Sequence, residues 1–334
     1  MDFGALANGR PDPGETVDLI TTLKNFGSHA TNVQVELDST DPYITIIDRS
    51  TNLGDIASGE TVDTSGDPFS FEVAADAPTG RIVEFSLRAT FTGGETPSDL
   101  VLCIGRFDYL VWDPTGDQSS GPVITATLDS WHYSGTSRET LPLDHLDDYA
   151  TLWVSCGMYA ENVVVASGGS EGPAIVDFMA NGGCVYLEGG DIWAYDPQVC
   201  GFDFRPYFGI DATEDGAGDL AHALGVPGEF SEGMDFIYAG ENSYVDHLNP
   251  SGHGFALLRN SSPEYNCGIA GDAGSYRTVG TSFEFGGLQD GAGQSTKETL
   301  ARVIMDFFQV APTEILFTDG FESGGSSAWS VTVP

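Results

Sequence analysis

The sequence predicts a multidomain chain in which an all-β sandwich at residues 1–106 precedes an α/β domain with a parallel sheet at residues 107–312. Short apolar alternations, separated by glycine and proline turns, fill the first third of the chain without helical periodicity. From residue 107, apolar runs of strand length alternate with segments of helix length, which is typical of a parallel sheet. Of the 334 residues, 40% are apolar, which is enough for two packed cores.

Six short strands are predicted in the first domain. Turn residues such as Asp41-Pro42 and Ala77-Pro78 separate them, at a spacing typical of a sandwich of about 100 residues. The predicted strands are residues 17–23, 32–37, 44–47, 69–73, 83–89 and 100–104.

Residues 8–19, read as Asn-Gly-Arg-Pro-Asp-Pro-Gly-Glu-Thr-Val-Asp-Leu, and residues 23–27, read as Leu-Lys-Asn-Phe-Gly, resemble an immunoglobulin-like module. That module recurs in bacterial secreted proteins, often beside peptidase domains. The resemblance implies an immunoglobulin-like sandwich and, as partners, other domains of a larger secreted protein. Such modules usually have one more strand before the first turn, and no signal peptide follows Met1. We therefore expect a secreted or cell-surface protein whose export signal lies upstream of Met1.

In the second domain, the predicted helix at 121–131 has Pro122 in its first turn, and the helix at 170–181 stops at Gly182-Gly183. Open parallel sheets bind ligands at the carboxyl ends of their strands, so we expect a site formed by the loops that follow them. The predicted strands are residues 107–112, 151–156, 184–187, 255–258, 268–271 and 278–285, and a helix at 296–310 closes the domain. Residues 192–250 are rich in glycine and aspartate and are interpreted as an insertion over one end of the sheet.

Residues 149–159 and 178–191 resemble the class I glutamine-amidotransferase-like fold, a flavodoxin-like three-layer α/β architecture. In active amidotransferases a cysteine lies on the sharp turn after the strand. Here Glu188 takes that place and Cys184 lies at the start of the strand, so the resemblance implies the fold without glutamine hydrolysis.

Two sets of residues are candidates for catalysis. Cys156 ends a buried strand and His132 precedes it, an order that resembles caspase-like and gingipain-like cysteine peptidases, in which histidine deprotonates the thiol. The alternative is a cysteine that acts as a small core hydrophobe. Glu188 and Asp191 are candidates for an acid/base pair or a cation site, and the alternative is that they bind backbone N–H groups.

Fifty acidic residues face twelve lysines and arginines, which gives a net charge of −38. Such a surface repels nucleic acid and anionic lipid, so we expect neither as a partner. No apolar run approaches the roughly 18 residues of a membrane-spanning helix, so no membrane span is predicted. We interpret most carboxylates as a solvated surface adapted to saline surroundings.

Ca²⁺ is the only cofactor that the sequence indicates, because carboxylates and carbonyls in tight turns suit this cation. The alternative at the first candidate site is a polar turn without metal. At the second, oxygens fall at the first, third and fifth places of a loop, but His222 at the twelfth place excludes an EF-hand. The two candidate sites are Asp12, Glu15 and Asp18, and Asp211, Thr213 and Asp215.

The five cysteines are an odd number, and Cys200–Cys267 is a candidate disulfide. The tail at residues 313–334, with Asp-Gly-Phe-Glu-Ser-Gly at 319–324, resembles a C-terminal tail of many bacterial secreted proteins. We expect a non-catalytic extracellular accessory or binding protein with a polysaccharide or peptide ligand. The alternatives are a cysteine hydrolase that uses Cys156 and His132, and a structural surface or adhesin component.

Overall fold

A computed structural model describes residues 10–116, 120–214, 216 and 218–312. Within these ranges the chain is mostly β-structure, with strands β1–β21 and five helices. Helix, strand and sheet assignments below refer to these ranges.

Residues 10–106 form antiparallel sheets, as the all-β prediction requires. Their orders are β1-β7-β4, β2-β6 and β5-β3-β8-β9. One apolar core lies between them, where the rings of Phe71 and Phe85 have centroids 4.9 Å apart. Alternate residues of β3 are buried, because successive side chains of a strand point to opposite faces. The strands are β1 Thr16–Leu19, β2 Thr22–Lys24, β3 Ala30–Asp38, β4 Ile44–Asp48, β5 Ser50–Ile56, β6 Thr61–Asp63, β7 Phe69–Val73, β8 Ile82–Phe91 and β9 Gly94–Cys103.

The rest of the described chain is built on one large sheet. Its strands are β10 Phe107–Trp112, β11 Gly135–Arg138, β12 Tyr149–Ser155, β13 Cys184–Glu188, β14 Ile210–Glu214, β15 His222–Gly225, β16 Asp235–Tyr238, β17 His247–Pro250, β18 Gly254–Ser261, β19 Glu264–Asp272, β20 Arg277–Thr281 and β21 Leu288–Gln289. The α-helices are α1 Gly121–Ser130, α2 Glu171–Ala180, α3 Asp196–Val199, α4 Arg205–Phe208 and α5 Lys297–Phe307, and 3₁₀ turns lie at Leu143–Asp148 and Phe285–Gly287.

The large sheet is mixed, which corrects the prediction of a parallel sheet. Its main order is β11-β10-β12-β13-β20-β19-β18-β15-β16-β21. Pairing is parallel from β11 to β20 and antiparallel from β20 to β21. The loops that join β18, β19 and β20 are too short for a crossover, so these strands can pair only as antiparallel neighbours. The expected insertion at 192–250 supplies β14–β17 to the same sheet instead of merely covering it.

Each face of the sheet has its own apolar core. Helices α1 and α5 pack on one face, where the core includes Trp153 and Tyr186, and α2 packs on the other, where it includes Leu152 and Val185. Helix α2 ends as predicted, because Gly182 has a positive φ of 89° and the N–H of Gly183 bonds to a carbonyl of the last turn.

Candidate functional site

The carboxyl ends of β10, β12, β13 and β20 meet at one edge of the sheet, called the carboxyl edge here. The N–H of Cys156 donates to the Glu188 carbonyl at 3.0 Å, and that of Gly190 donates to the Gly157 carbonyl at 3.3 Å. A Cβ on Gly157 would lie 3.1 Å from the methyl group of Thr115. The loops that follow β10, β12 and β13 are therefore in contact, as the sequence predicts.

Glu188 is a buried carboxylate at the centre of this edge. It accepts hydrogen bonds from the hydroxyl of Ser155, from the hydroxyl of Tyr186 at 2.9 Å and from the N–H of Phe285 at 2.7 Å. Ser120, at the start of α1, is a further side-chain partner. Burial raises the pKa of Glu188 above its usual value, although these hydrogen bonds oppose the rise. Glu188 thus links β12, β13, α1 and the turn after β20.

Asp113, directly after β10, and Glu284, in the turn after β20, add two carboxyl groups. Oδ1 of Asp113 accepts the Thr115 N–H at 3.0 Å, and its Oδ2 has no hydrogen-bond partner among the described residues. The pKa of Glu284 rises to about 7 because of burial and then because of the negative charges of Glu188, Asp113 and a further glutamate. Sequence reasoning missed Glu284, since the predicted strand at 278–285 enclosed it, whereas β20 ends at Thr281.

Asp191 lies in the turn after β13 and has a different carboxyl neighbour. Its Oδ2 accepts the Asn162 amide at 3.3 Å, and its carbonyl accepts the Asp196 N–H at 2.9 Å. Burial and then the charge of Asp191 raise the pKa of Asp196 to about 7. The structure brings Glu188 and Asp191 to the same edge. However, the charge of Asp191 raises the pKa of Asp196, whereas the charge of Glu188 raises the pKa of Glu284.

Two exposed tyrosines stand at the carboxyl edge. Tyr159 and Tyr244 are 54% and 40% exposed, and their rings meet edge to face with centroids 5.1 Å apart. The segments that carry them pack on Gly190, where a Cβ would lie 2.7 Å from the Tyr244 carbonyl and 2.8 Å from Cε of Met158. Only glycine therefore allows this close approach. The segments that carry the paired rings thus pack on the turn between Glu188 and Asp191.

The structure does not bring Cys156 and His132 together. Helix α1 starts at the carboxyl edge and runs back, so His132, with φ of 61°, lies beyond its other end. The next residues return to the start of β10, where the Ser134 N–H donates to Asp108 at 2.7 Å. Cys156 follows the far end of β12, a seven-residue strand about 20 Å long. The dyad prediction is wrong because it took sequence order for spatial proximity.

Cys156 also lacks the environment of a nucleophile. It is 2% exposed, and burial raises the pKa of its thiol well above the usual value. The negative charges of Asp196, Glu188 and Asp113 raise that pKa further. The alternative interpretation, a small core hydrophobe, fits this position.

The described residues include no group of three or more histidine, cysteine, aspartate or glutamate side chains placed to hold a metal. Asp12 and Glu15 instead form a polar turn, in which the Asp12 N–H donates to Glu15 Oε2 at 3.2 Å, while Asp18 belongs to β1. Asp211 lies in strand β14 and not in a loop. The side chain of Thr213 and the whole of Asp215 lie outside the described residues, so that candidate stays a prediction.

All five cysteines are free, so the Cys200–Cys267 disulfide is not formed. Cys267 lies in the sheet interior on β19, whereas Cys200 is exposed after α3. The tail at residues 313–334 lies outside the described residues. Among the helices that the structure describes, none has the length and apolar character needed to cross a membrane.

No family model matches the chain, and no curated protein matches its sequence. Several solved structures are similar to part of it. A ThuA-like protein from Bacteroides uniformis is 12% identical with a TM-score of 0.38, over 61% of this chain and 91% of that chain. A glutamine amidotransferase from Methylobacillus flagellatus is 10% identical with a TM-score of 0.36, over 62% and 76%. The N-terminal domain of mmIFT52 is 10% identical with a TM-score of 0.43, over 62% and 100%. Likenesses at this level carry no inference about function.

Proposed function

We propose that this protein is a secreted or cell-surface binding protein that holds an uncharged polysaccharide at the carboxyl edge. The observation that carries the proposal is the exposed Tyr159–Tyr244 pair, whose chain segments pack on Gly190 in the turn between Glu188 and Asp191. Tyrosine rings offer an apolar face together with a polar tip, and sugar rings present apolar faces rimmed by hydroxyl groups. Exposed aromatic rings on a closely packed turn therefore suit stacking on a sugar.

Polar groups of the carboxyl edge and of the segment before Tyr244 supply the polar half of such a site. Glu284 is half-buried, and Glu241 and Ser243 near Tyr244 are exposed. Carboxylate oxygens accept hydrogen bonds from sugar hydroxyls, and charge-assisted bonds of this kind are the stronger ones. A net charge of −38 disfavours anionic polysaccharides, so we commit to an uncharged glycan.

The rest of the architecture is assigned a supporting role in this proposal. We infer that residues 10–106 are an immunoglobulin-like spacer and that the second module is a three-layer, glutamine-amidotransferase-like domain that carries the site. Stabilisation by Ca²⁺ at Asp211, Thr213 and Asp215 belongs to the same proposal. Thermal unfolding with Ca²⁺ and with a chelator checks it, and equal midpoints would argue against it.

The binding proposal is tested by affinity electrophoresis and calorimetry of the full chain with neutral polysaccharides such as soluble β-glucan, mannan and xylan. We expect at least one of them to bind, and expect Tyr159→Ala with Tyr244→Ala to weaken it by about tenfold or more, because each lost stacking contact costs about 1 kcal/mol. Phe26→Ala removes an exposed aromatic from the first module and serves as the matched control. Equal loss in the control, or retained binding in the double variant, would contradict the proposal.

A hydrolytic role is the second candidate, favoured by the buried Asp196, whose N–H donates to the Asp191 carbonyl at 2.9 Å. A carboxyl group with a pKa of about 7 beside a second carboxylate is the arrangement expected of a general acid with its partner. Glycan breakdown in the binding assays would support this role, provided that Asp196→Asn stops it without abolishing binding. If the glycans stay intact in these assays, only the binding role remains.

A further inference from the structure

The first module contains a cavity of about 500 Å³, which is independent of the carboxyl edge. It opens at the turn between β2 and β3, beside the ends of β8 and β9. Apolar side chains form its inner wall, among them the core residues Val33 and Ile56 and the partly buried Phe91. Its volume lies within the range of small-molecule pockets.

An aromatic side chain is held out over this cavity. Phe26 lines the opening and is 86% exposed, although burying a phenylalanine gains about 2 kcal/mol. The turn that carries it is tightly bonded. The Asn25 amide donates to the carbonyls of Ser28 at 2.8 Å and Ile56 at 3.0 Å, and it accepts the Gly27 N–H at 2.9 Å. The exposure of Phe26 is therefore imposed by the fold, as expected of a surface formed for a partner.

A lysine lies at the same opening. Lys24 and His29 both line the cavity, and Lys24 is one of two lysines in a chain of net charge −38. The Lys24 ammonium lies 5.2 Å from the centre of the Phe26 ring, and among the described residues it makes no ion pair. His29 faces Asp55 at 3.8 Å, with both side chains largely exposed. An apolar interior with a lysine at its opening is thus found on an otherwise acidic surface.

We propose that this cavity binds an amphiphile that has an anionic head group and an apolar tail. The head group pairs with the Lys24 ammonium and accepts a hydrogen bond from the His29 ring, and the tail lies against Val33, Ile56 and Phe91. A cationic or purely apolar ligand would make no ion pair with the Lys24 ammonium. The net charge of −38 repels a polyanion or an anionic membrane as a whole, whereas a single small head group needs only the cation at this opening.

The test is calorimetric titration of the full chain with dodecanoate below its micellar concentration, compared with dodecyltrimethylammonium, which has a similar tail and the opposite charge. We expect one dodecanoate per chain and at least about tenfold weaker binding of the cationic analogue. Lys24→Glu should weaken dodecanoate binding about tenfold or more. Lys297→Glu, which makes the same change at the chain's other lysine, in the second module, should not weaken it. Equal binding of the two amphiphiles, or equal losses in the two variants, would overturn the proposal.

A second variant separates occupation of the cavity from surface attraction. Ala89→Phe places a ring in the cavity wall and should abolish dodecanoate binding. Its unfolding midpoint is measured in parallel, and Phe26→Ser, which leaves the cavity open, should weaken binding without loss of fold. Undiminished binding in a folded Ala89→Phe variant, or no dodecanoate binding by the wild-type chain, would overturn the proposal. So would preference for an acidic peptide over dodecanoate.

Discussion

Asp196 gives the most quantitative prediction, because its pKa rises to about 7 from a usual 3.8. The folded chain therefore binds this proton more tightly than the unfolded chain. The stabilisation from protonation is fully present below about pH 4 and is lost as the pH rises to about 7. A pKa difference of this size corresponds to about 4 kcal/mol, which partial solvent screening reduces to about 2 kcal/mol. Asp196→Asn keeps the side chain neutral at every pH, so the variant should not lose this stabilisation as the pH rises.

The assay is urea unfolding of both proteins between pH 4 and pH 8. We expect the Asp196→Asn variant and the wild type to be closest in free energy of unfolding at pH 4. As the pH rises, the free energy of unfolding of the variant should increase relative to that of the wild type. Asp203 is the matched control of opposite sign, because Arg205 lowers its pKa. Asp203→Asn should lose stability relative to wild type throughout pH 4–8, and this loss should shrink only in more acidic buffers, below the usual pKa of 3.8. A difference between Asp196→Asn and wild type that does not change with pH would refute the reasoning.

Three further predictions follow from the buried groups of the second module. Glu188→Ala should lower the free energy of unfolding by about 3–5 kcal/mol in thermal or urea denaturation, because it leaves buried donors without an acceptor; a loss below about 1 kcal/mol would be inconsistent with its central place. In native-state alkylation followed by mass spectrometry, Cys200 should react readily and Cys156 only after unfolding, and native labelling of Cys156 would contradict its burial. Gly280→Ala should destabilise the sheet by about 1–3 kcal/mol, because the new Cβ would lie 2.7 Å from the buried ring of Trp193, and an unchanged urea midpoint would show that the core yields.

Local signals predicted the elements with strong boundaries. The strand at 107–112 was predicted with the bounds that the structure gives, because a continuous apolar run ends there at Asp113-Pro114. Helix α2 was predicted within one residue at each end, since Gly182-Gly183 stops it. The alternation in the first module predicted its all-β content for the same reason. These features depend on residues adjacent in the chain.

Features that depend on distant residues were not predicted. The short strand His222–Gly225 carries too little periodicity to be distinguished from a loop, so its part in the sheet was missed. The position of Glu284 at the carboxyl edge depends on where β20 ends, which pairing with β13 and β19 decides. Tyr159 and Tyr244 are far apart in sequence, and only the packing on Gly190 joins them. The loop positions that follow the strands predicted the location of the site, but not the side chains that occupy it.

The strand β20 has a consequence for how the chain reaches this structure. It closes a meander with β18 and β19, whose contacts are local in sequence, yet its other edge receives β13 across the whole segment 189–276. Local pairings form faster than distant ones, because they close shorter loops. We therefore expect the meander to form early and to offer β20 as the template on which the parallel strands then align. A nascent chain that ends before residue 254 would carry its apolar parallel strands without that template, and their unpaired edges would be open to aggregation.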